Sequence, residues 1–200
     1  VLQDNRLEKK CGLNFGKIRK KGTIMSENYS HHIDMSQGIW IDIFPYDKVS
    51  NDEKVRKKNM QKLSFYRNMY IIKSGYKAPE GKSKAFYAAY HIAKMASVFY
   101  SIDYLIEKVN SIMMEYENQD TDYVFPYGGA YPDRDLMPKR IIEHLKPVMF
   151  EGREILAFED YDYYLKSLYK NYMELPPVEK RVNGSQHTLH EIKFSQGETK

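Results

Sequence analysis

Between Gly38 and Asp47 the chain reads Gly-Ile-Trp-Ile-Asp-Ile-Phe-Pro-Tyr-Asp. Strict alternation places Ile39, Ile41 and Ile43 on one face of a strand and Trp40, Asp42 and Phe44 on the other. Pro45 cannot donate to a ladder, so the strand ends there. About seventy residues of helical periodicity follow. A short strand running into a helical block restricts the chain to an α+β architecture. The same stretch poses a chemical question, because Asp42 lies between two isoleucines and shares a face with two aromatics. A lone carboxylate in an apolar wall is costly without a partner. Either Asp42 meets a partner or a metal, or its face turns to solvent, or it accepts backbone hydrogen bonds.

The helical block divides into three. Ser50 and Glu53 have capping-box spacing, and a helix is expected to about Ser74, with Val55, Leu63, Tyr66, Met69 and Tyr70 on one face and Gly75 as its stop. Ser83 opens a second, to about Tyr100, with Phe86, Ala89, Tyr90, Ala93 and Ser97 on one side. A third, from about Ile102 to Glu117, presents Leu105, Ile106, Val109, Ile112, Met113 and Tyr116. Upstream, Cys11–Met25 reads as two strands about a turn at Lys20-Lys21-Gly22, preceded by polar, helix-like sequence. Downstream, Asp122–Arg140 is a strand entering a loop rich in Gly, Pro and Tyr. A hairpin about Glu151-Gly152 and a short helix within Phe158–Met173 come next. The expected divisions are 1–48, a sheet; 49–120, helical; 121–182, a strand, loop and helix region of the same domain; and 183–200, a partly ordered tail.

With 42% apolar and 29% charged residues, the 200-residue chain can bury a core. A net charge of +4, spread among 27 acidic residues, shows no basic stripe, which argues against nucleic-acid binding. One cysteine, Cys11, excludes an intrachain disulfide and suits a reducing, cytoplasmic setting. No run of 18 apolar residues occurs. The chain begins at Val1 rather than Met, and its natural N-terminus is expected to lie further upstream.

The strings "KIRKKGT", "GIWIDIFPYD", "YGGAY", "FEGREI" and "YLKSLYKNYMELPP" occur in this order. Together they resemble the LicD family, phosphocholine transferases related to fukutin, from about Phe15 to about Arg181. The most specific parts are Ile-Asp-Ile-Phe-Pro followed two residues later by Asp47, and Met-x-Leu-Pro-Pro at Met173–Pro177. The resemblance implies a nucleotidyltransferase-like fold, a small mixed sheet with a helical bundle inserted. It also implies Mg²⁺-dependent transfer of phosphocholine from CDP-choline, or a similar CDP-alcohol such as CDP-ribitol. The implied acceptor is a sugar hydroxyl of a surface glycopolymer: a teichoic acid, lipopolysaccharide or capsule, or its lipid-linked precursor. Peripheral contact with the inner membrane face is compatible with such an acceptor.

In that family a Gly-rich turn and an Asp-x-Asp pair precede a third carboxylate, and Asp42 occupies the third place. The implied role of Asp42 is to ligate Mg²⁺ and help deprotonate the acceptor. The turn and the pair lie upstream of this chain's start in the family, so the 200 residues are expected to lack two of three metal ligands and to be inactive alone. Asp133 and Asp135 spell Asp-x-Asp in a loop, not on a strand after a glycine turn. Asp34 is a lone acid in a loop. Lys170-Asn171 stands where the family tends to have Gly-Asp. Lys17 and Arg19 share a strand face and suit a diphosphate, or form a solvated face. Tyr127, Gly128 and Gly129 form a glycine-hinged loop suited to approaching substrate, or a simple turn. Trp40, Tyr127 and Tyr131 are candidate walls for a quaternary ammonium. His31 and His32 lack a Cys or acidic partner at ligand spacing and read as an exposed loop, and His187 and His190 are incidental residues of the tail. The competing reading is a non-catalytic module that keeps the fold and binds sugar or a partner.

Overall fold

The computed structural model describes residues 1–129, 134–181 and 188–195. Tyr131, Asp133 and His187, named above, lie outside them. The chain divides into two compact units: Val1–Phe44 with Lys58–Ile112 and Ser185–Lys200, and Pro45–Lys57 with Met113–Gly184.

In the first unit, β1 (Leu2–Gln3), β2 (Gly16–Arg19) and β4 (Trp40–Ile43) form an antiparallel sheet in the order β1-β2-β4. β3 (Ile24–Glu27) pairs instead with β10 (Leu189–Lys193). The turn at Lys20–Gly22 therefore exists, with Gly22 at φ 73°, but its two flanking strands enter different sheets. Residues 1–10, helix-like in sequence, form β1 and turns. The Asp4 carboxylate accepts from the amides of Arg6 and Leu7, which closes a turn where a helix would otherwise start. The last described residues are not an isolated tail. β10 completes a ladder with β3, and the His190 ring stacks on His31 at 3.9 Å.

Helices α1 (Glu53–Lys73), α2 (Lys84–Ala96) and α3 (Ile102–Met113) occupy the expected places. Asp52, not Ser50, caps α1, accepting from the amides of Lys54 and Val55. Ser83 caps α2 through the Phe86 amide. Met69 and Tyr70 of α1 pack on Leu105 and Ile106 of α3, with Ala93 and Ala96 of α2 at the margin. The Tyr70 hydroxyl leaves this cluster satisfied, donating to the Lys9 carbonyl at 3.0 Å. No helix among the described residues is long and apolar enough to cross a membrane.

In the second unit, β5 (Asp47–Val49), β6 (Tyr123–Phe125) and β7 (Met137–Pro138) form an antiparallel sheet. Short α4 (Lys139–Glu143) leads into the hairpin of β8 (Leu145–Phe150) and β9 (Arg153–Phe158), then α5 (Tyr161–Tyr169) and the single turn α6 (Val178–Arg181). Val124, Met137 and Leu168 form its core, with Tyr46, Ile142 and Tyr164 against them. The hairpin turns at Glu151 (φ 47°) and Gly152 (φ 75°), both left-handed, which matches the twist of two-residue turns.

Lys170 ends α5 at φ 60°, ψ −109°, its amide donating to the Lys166 carbonyl. This backbone region favours glycine. Lys170→Gly is therefore expected to raise stability by about 1 kcal/mol, measured as the shift in urea midpoint.

Candidate functional site: a polar sheet face on β2 and β4

Side chains of the β1-β2-β4 sheet sort oppositely to their hydropathy. Register aligns Leu2 with Ile18 and Ile18 with Ile41 on one face, and Gln3 with Lys17 and Lys17 with Asp42 on the other. The isoleucine face is open to solvent, with Ile41 71% exposed. The polar face is the buried one, with Lys17 and Arg19 each only 7% exposed. The strand alternation is as the sequence predicts, but the face that carries charge is turned inward.

Arg19 is held from two sides. Its Nε donates to Gln3 Oε1 at 2.6 Å and its Nη1 to the Gly38 carbonyl at 2.8 Å. Gly38 serves this site by close approach. A Cβ there would meet the Lys20 carbonyl oxygen and, at 3.2 Å, the Thr23 hydroxyl. Gln3 Nε2 in turn donates to Glu8 Oε2 at 2.5 Å, and Glu8 accepts from the Ser36 amide at 2.9 Å and from the Ser36 hydroxyl. Burial works to raise the Glu8 carboxyl, but these hydrogen bonds outweigh it and hold the group below the usual range.

Lys17 sits beside Arg19. Its Nζ lies 3.5 Å from Asp42 Oδ1 and 4.0 Å above the Trp40 ring. Burial pulls the Lys17 ammonium below the ordinary lysine value, and Asp42 opposes that pull. The Arg19 guanidinium lies 5.0 Å from the same indole. Trp40 thus already serves two resident cations, a contact of about 0.5–2 kcal/mol each. Glu27 acts electrostatically on both Lys17 and Arg19 and accepts from Tyr29, whose hydroxyl is pushed up by burial and by this bond. The puzzle of Asp42 resolves simply: it answers Lys17, and its own side chain remains about one-third exposed, 34%.

The structure therefore gathers Lys17, Arg19, Trp40 and Asp42 at one place. Tyr127, Gly128 and Gly129 belong to the second unit. Tyr127 is buried with its ring edge to Phe125 at 5.2 Å, and burial pushes its hydroxyl up, Asp47 adding to the effect. The Gly129 amide closes a turn on the Pro126 carbonyl at 2.7 Å. A Cβ at Gly129 would fall on the carboxylate of buried Asp135, so the glycine there is required by internal packing. Gly128 is half-buried in the same turn.

Sequence reasoning passed over Gln3, Glu8, Ser36 and Glu27. Nothing local marks them, since each matters through a cross-strand or loop partner. It also noted Asp47 without asking what surrounds it. The Asp47 carboxyl is pushed up to about 6 by burial and by Glu117, and its Oδ2 has no hydrogen-bond partner. Asp47 answers the description of a costly buried carboxylate better than Asp42 does. Its signal was available: Asp47 shares a strand face with Val49, two residues on, and Val49 is buried.

The fit to Mg²⁺ is poor on these residues alone. Among the described residues no group of three His, Cys, Asp or Glu side chains stands together in a metal-holding arrangement. The one carboxylate of the polar face that is open to solvent, Asp42, already faces an ammonium. A divalent ion of this kind needs one or two free carboxylates with substrate phosphates.

No family model matches the sequence, and no solved structure matches it. Among curated proteins it is similar to the lipopolysaccharide cholinephosphotransferase LicD of Haemophilus influenzae, 28% identical over 145 residues. The aligned part is 70% of this chain and 52% of that protein, so the chain spans about half the length of the relative it matches. The likeness is distant.

Proposed function

We propose that this chain is part of a LicD-like transferase that moves phosphocholine from CDP-choline, or a similar CDP-alcohol, to a sugar hydroxyl of a surface glycopolymer. The observation that carries the reading is the inward polar face of β2 and β4, where Lys17 and Asp42 meet at 3.5 Å beside Arg19. The motif string and the similarity to a cholinephosphotransferase support it.

In this reading Asp42 takes the proton of the acceptor hydroxyl. The acceptor oxygen forms a bond to the phosphorus of the phosphocholine group, the bond from that phosphorus to the CMP oxygen breaks, and CMP leaves. Lys17 orients the Asp42 carboxylate and supplies positive charge to the diphosphate as the leaving phosphate gains charge. Arg19 keeps Lys17 and Trp40 in place from behind.

Asp42→Ala in the natural full-length protein is expected to lower CMP release from CDP-choline by about 10²–10⁴-fold while leaving the circular dichroism spectrum intact. Unchanged turnover would sink this role. The mutual engagement of Asp42 and Lys17 also favours a second reading, a module that binds a sugar polymer or a partner without turnover. That module would retain polymer binding in Asp42→Ala and release no CMP from any CDP-alcohol in the natural protein.

A further inference from the structure

Helix α2 has two apolar faces, and the chain covers one of them. On the inner side Ala93 and Ala96 meet the helical core, and the Tyr90 hydroxyl donates to the Tyr76 carbonyl at 2.6 Å. No residue of α2 is fully buried. On the outer side Ile92 is 63% exposed and Met95 66%, and the 3-10 turn that follows, Ser97–Phe99, adds Val98 at 71% and Phe99 at 90%. These residues are spaced 92, 95, 98 and 99, which stacks them along one side of the helix and over its end. An exposed apolar set of this size marks a contact surface.

The charge around it says what it contacts. Between Lys77 and Tyr100 the chain carries four lysines, Lys77, Lys82, Lys84 and Lys94, and one acid, Glu80. All four lysines are exposed. A second copy of this chain would bring the same four lysines and again a single glutamate, so positive charge would accumulate at the contact. A surface of negative headgroups over hydrocarbon complements both the lysines and the apolar side chains.

We propose that α2 and the turn after it form a peripheral membrane-docking element, which seats Ile92, Met95, Val98 and Phe99 in the interface of an anionic bilayer with Lys82, Lys84 and Lys94 at headgroup level. The proposal stands apart from the transferase reading, because docking is measured without donor or acceptor.

The test is sedimentation of the full chain with vesicles of phosphatidylcholine alone or mixed equally with phosphatidylglycerol. Binding to the mixed vesicles is expected to be at least tenfold stronger and to weaken in 0.5 M salt. The double variant Met95→Asp with Phe99→Asp is expected to lose at least tenfold in binding. Both side chains are largely exposed, so its urea midpoint should match the wild type and show that the fold is intact. Lys82→Glu with Lys94→Glu is expected to remove the preference for phosphatidylglycerol. Absence of binding to either vesicle, or equal binding by the aspartate variant, would overturn the proposal. So would a concentration-dependent dimer that Phe99→Asp dissolves, since that assigns the face to a second copy.

Discussion

Arg19→Ala is expected to destabilise the protein by about 3–5 kcal/mol, as a large fall in the urea midpoint of the purified chain. Arg19 is almost fully buried and donates to Gln3 and to the Gly38 carbonyl. Removing it leaves Gln3 Oε1, itself fully buried, without its 2.6 Å donor, and it strips the nearby Glu8 and Glu27 of a counter-charge. The penalty is that of stranding buried polar groups, which exceeds the net worth of the bonds when made. Arg19→Lys recovers less than half, because an ammonium cannot span the fork between Gln3 and Gly38. If Arg19 served only to bind a diphosphate, alanine would weaken donor binding and leave the midpoint within about 0.5 kcal/mol, as surface changes do. The midpoint therefore decides between a framework role and a purely ligand-binding one.

The second large effect is a pH dependence centred on Asp47. Its carboxyl titrates near 3.8 in the unfolded chain and is pushed up to about 6 in the folded one. Between these values the folded state binds the extra proton. Stability from the protonated form is thus fully present below 3.8 and is lost as pH rises through about 6. At 1.36 kcal/mol for each pH unit between them, the loss approaches about 3 kcal/mol by pH 7.5. Asp47→Asn removes the charge that burial penalises. It is expected to be up to about 3 kcal/mol more stable than wild type at pH 7.5, with the difference shrinking toward pH 4. Urea unfolding of both proteins across this range checks it. A difference that stays constant with pH would mean Asp47 is not the titrating group. If the natural protein also loses turnover in Asp47→Asn while gaining stability, Asp47 belongs to the functional machinery, since a strained ionisable group is retained where it is used.

Much of the local structure was legible because it is written in short-range chemistry. Helices α1 and α3 follow from the spacing of Leu63, Met69, Tyr70, Leu105, Ile106 and Val109, which periodicity places on one face of each helix and which are buried. The hairpin at Glu151-Gly152 follows from a turn that glycine permits. Alternation correctly paired Lys17 with Arg19 and Trp40 with Asp42 on shared faces, and their coming together follows from register. Where the sequence was read wrongly, the deciding partner was distant. Residues 1–10 look helical, yet β1 forms because β2 offers it a ladder. Lys20–Gly22 looks like a hairpin turn, yet β3 leaves to pair with β10, more than 160 residues along the chain.

What the sequence by itself determined, then, is the periodicity of each element and the family its ordered strings resemble. Both depend on neighbours within a few residues or on a linear pattern. Only the tertiary structure decided which face of the β1-β2-β4 sheet is inside. Hydropathy favours Ile18, Ile41 and Ile43 for that place, since each side chain gains by leaving water. Lys17 and Arg19 occupy it instead, because Asp42 and the Trp40 ring answer the Lys17 ammonium and Gln3 and Gly38 accept from the Arg19 guanidinium. A buried cation is tolerated only when such partners converge on it, and that convergence is a property of three-dimensional arrangement that no local pattern records.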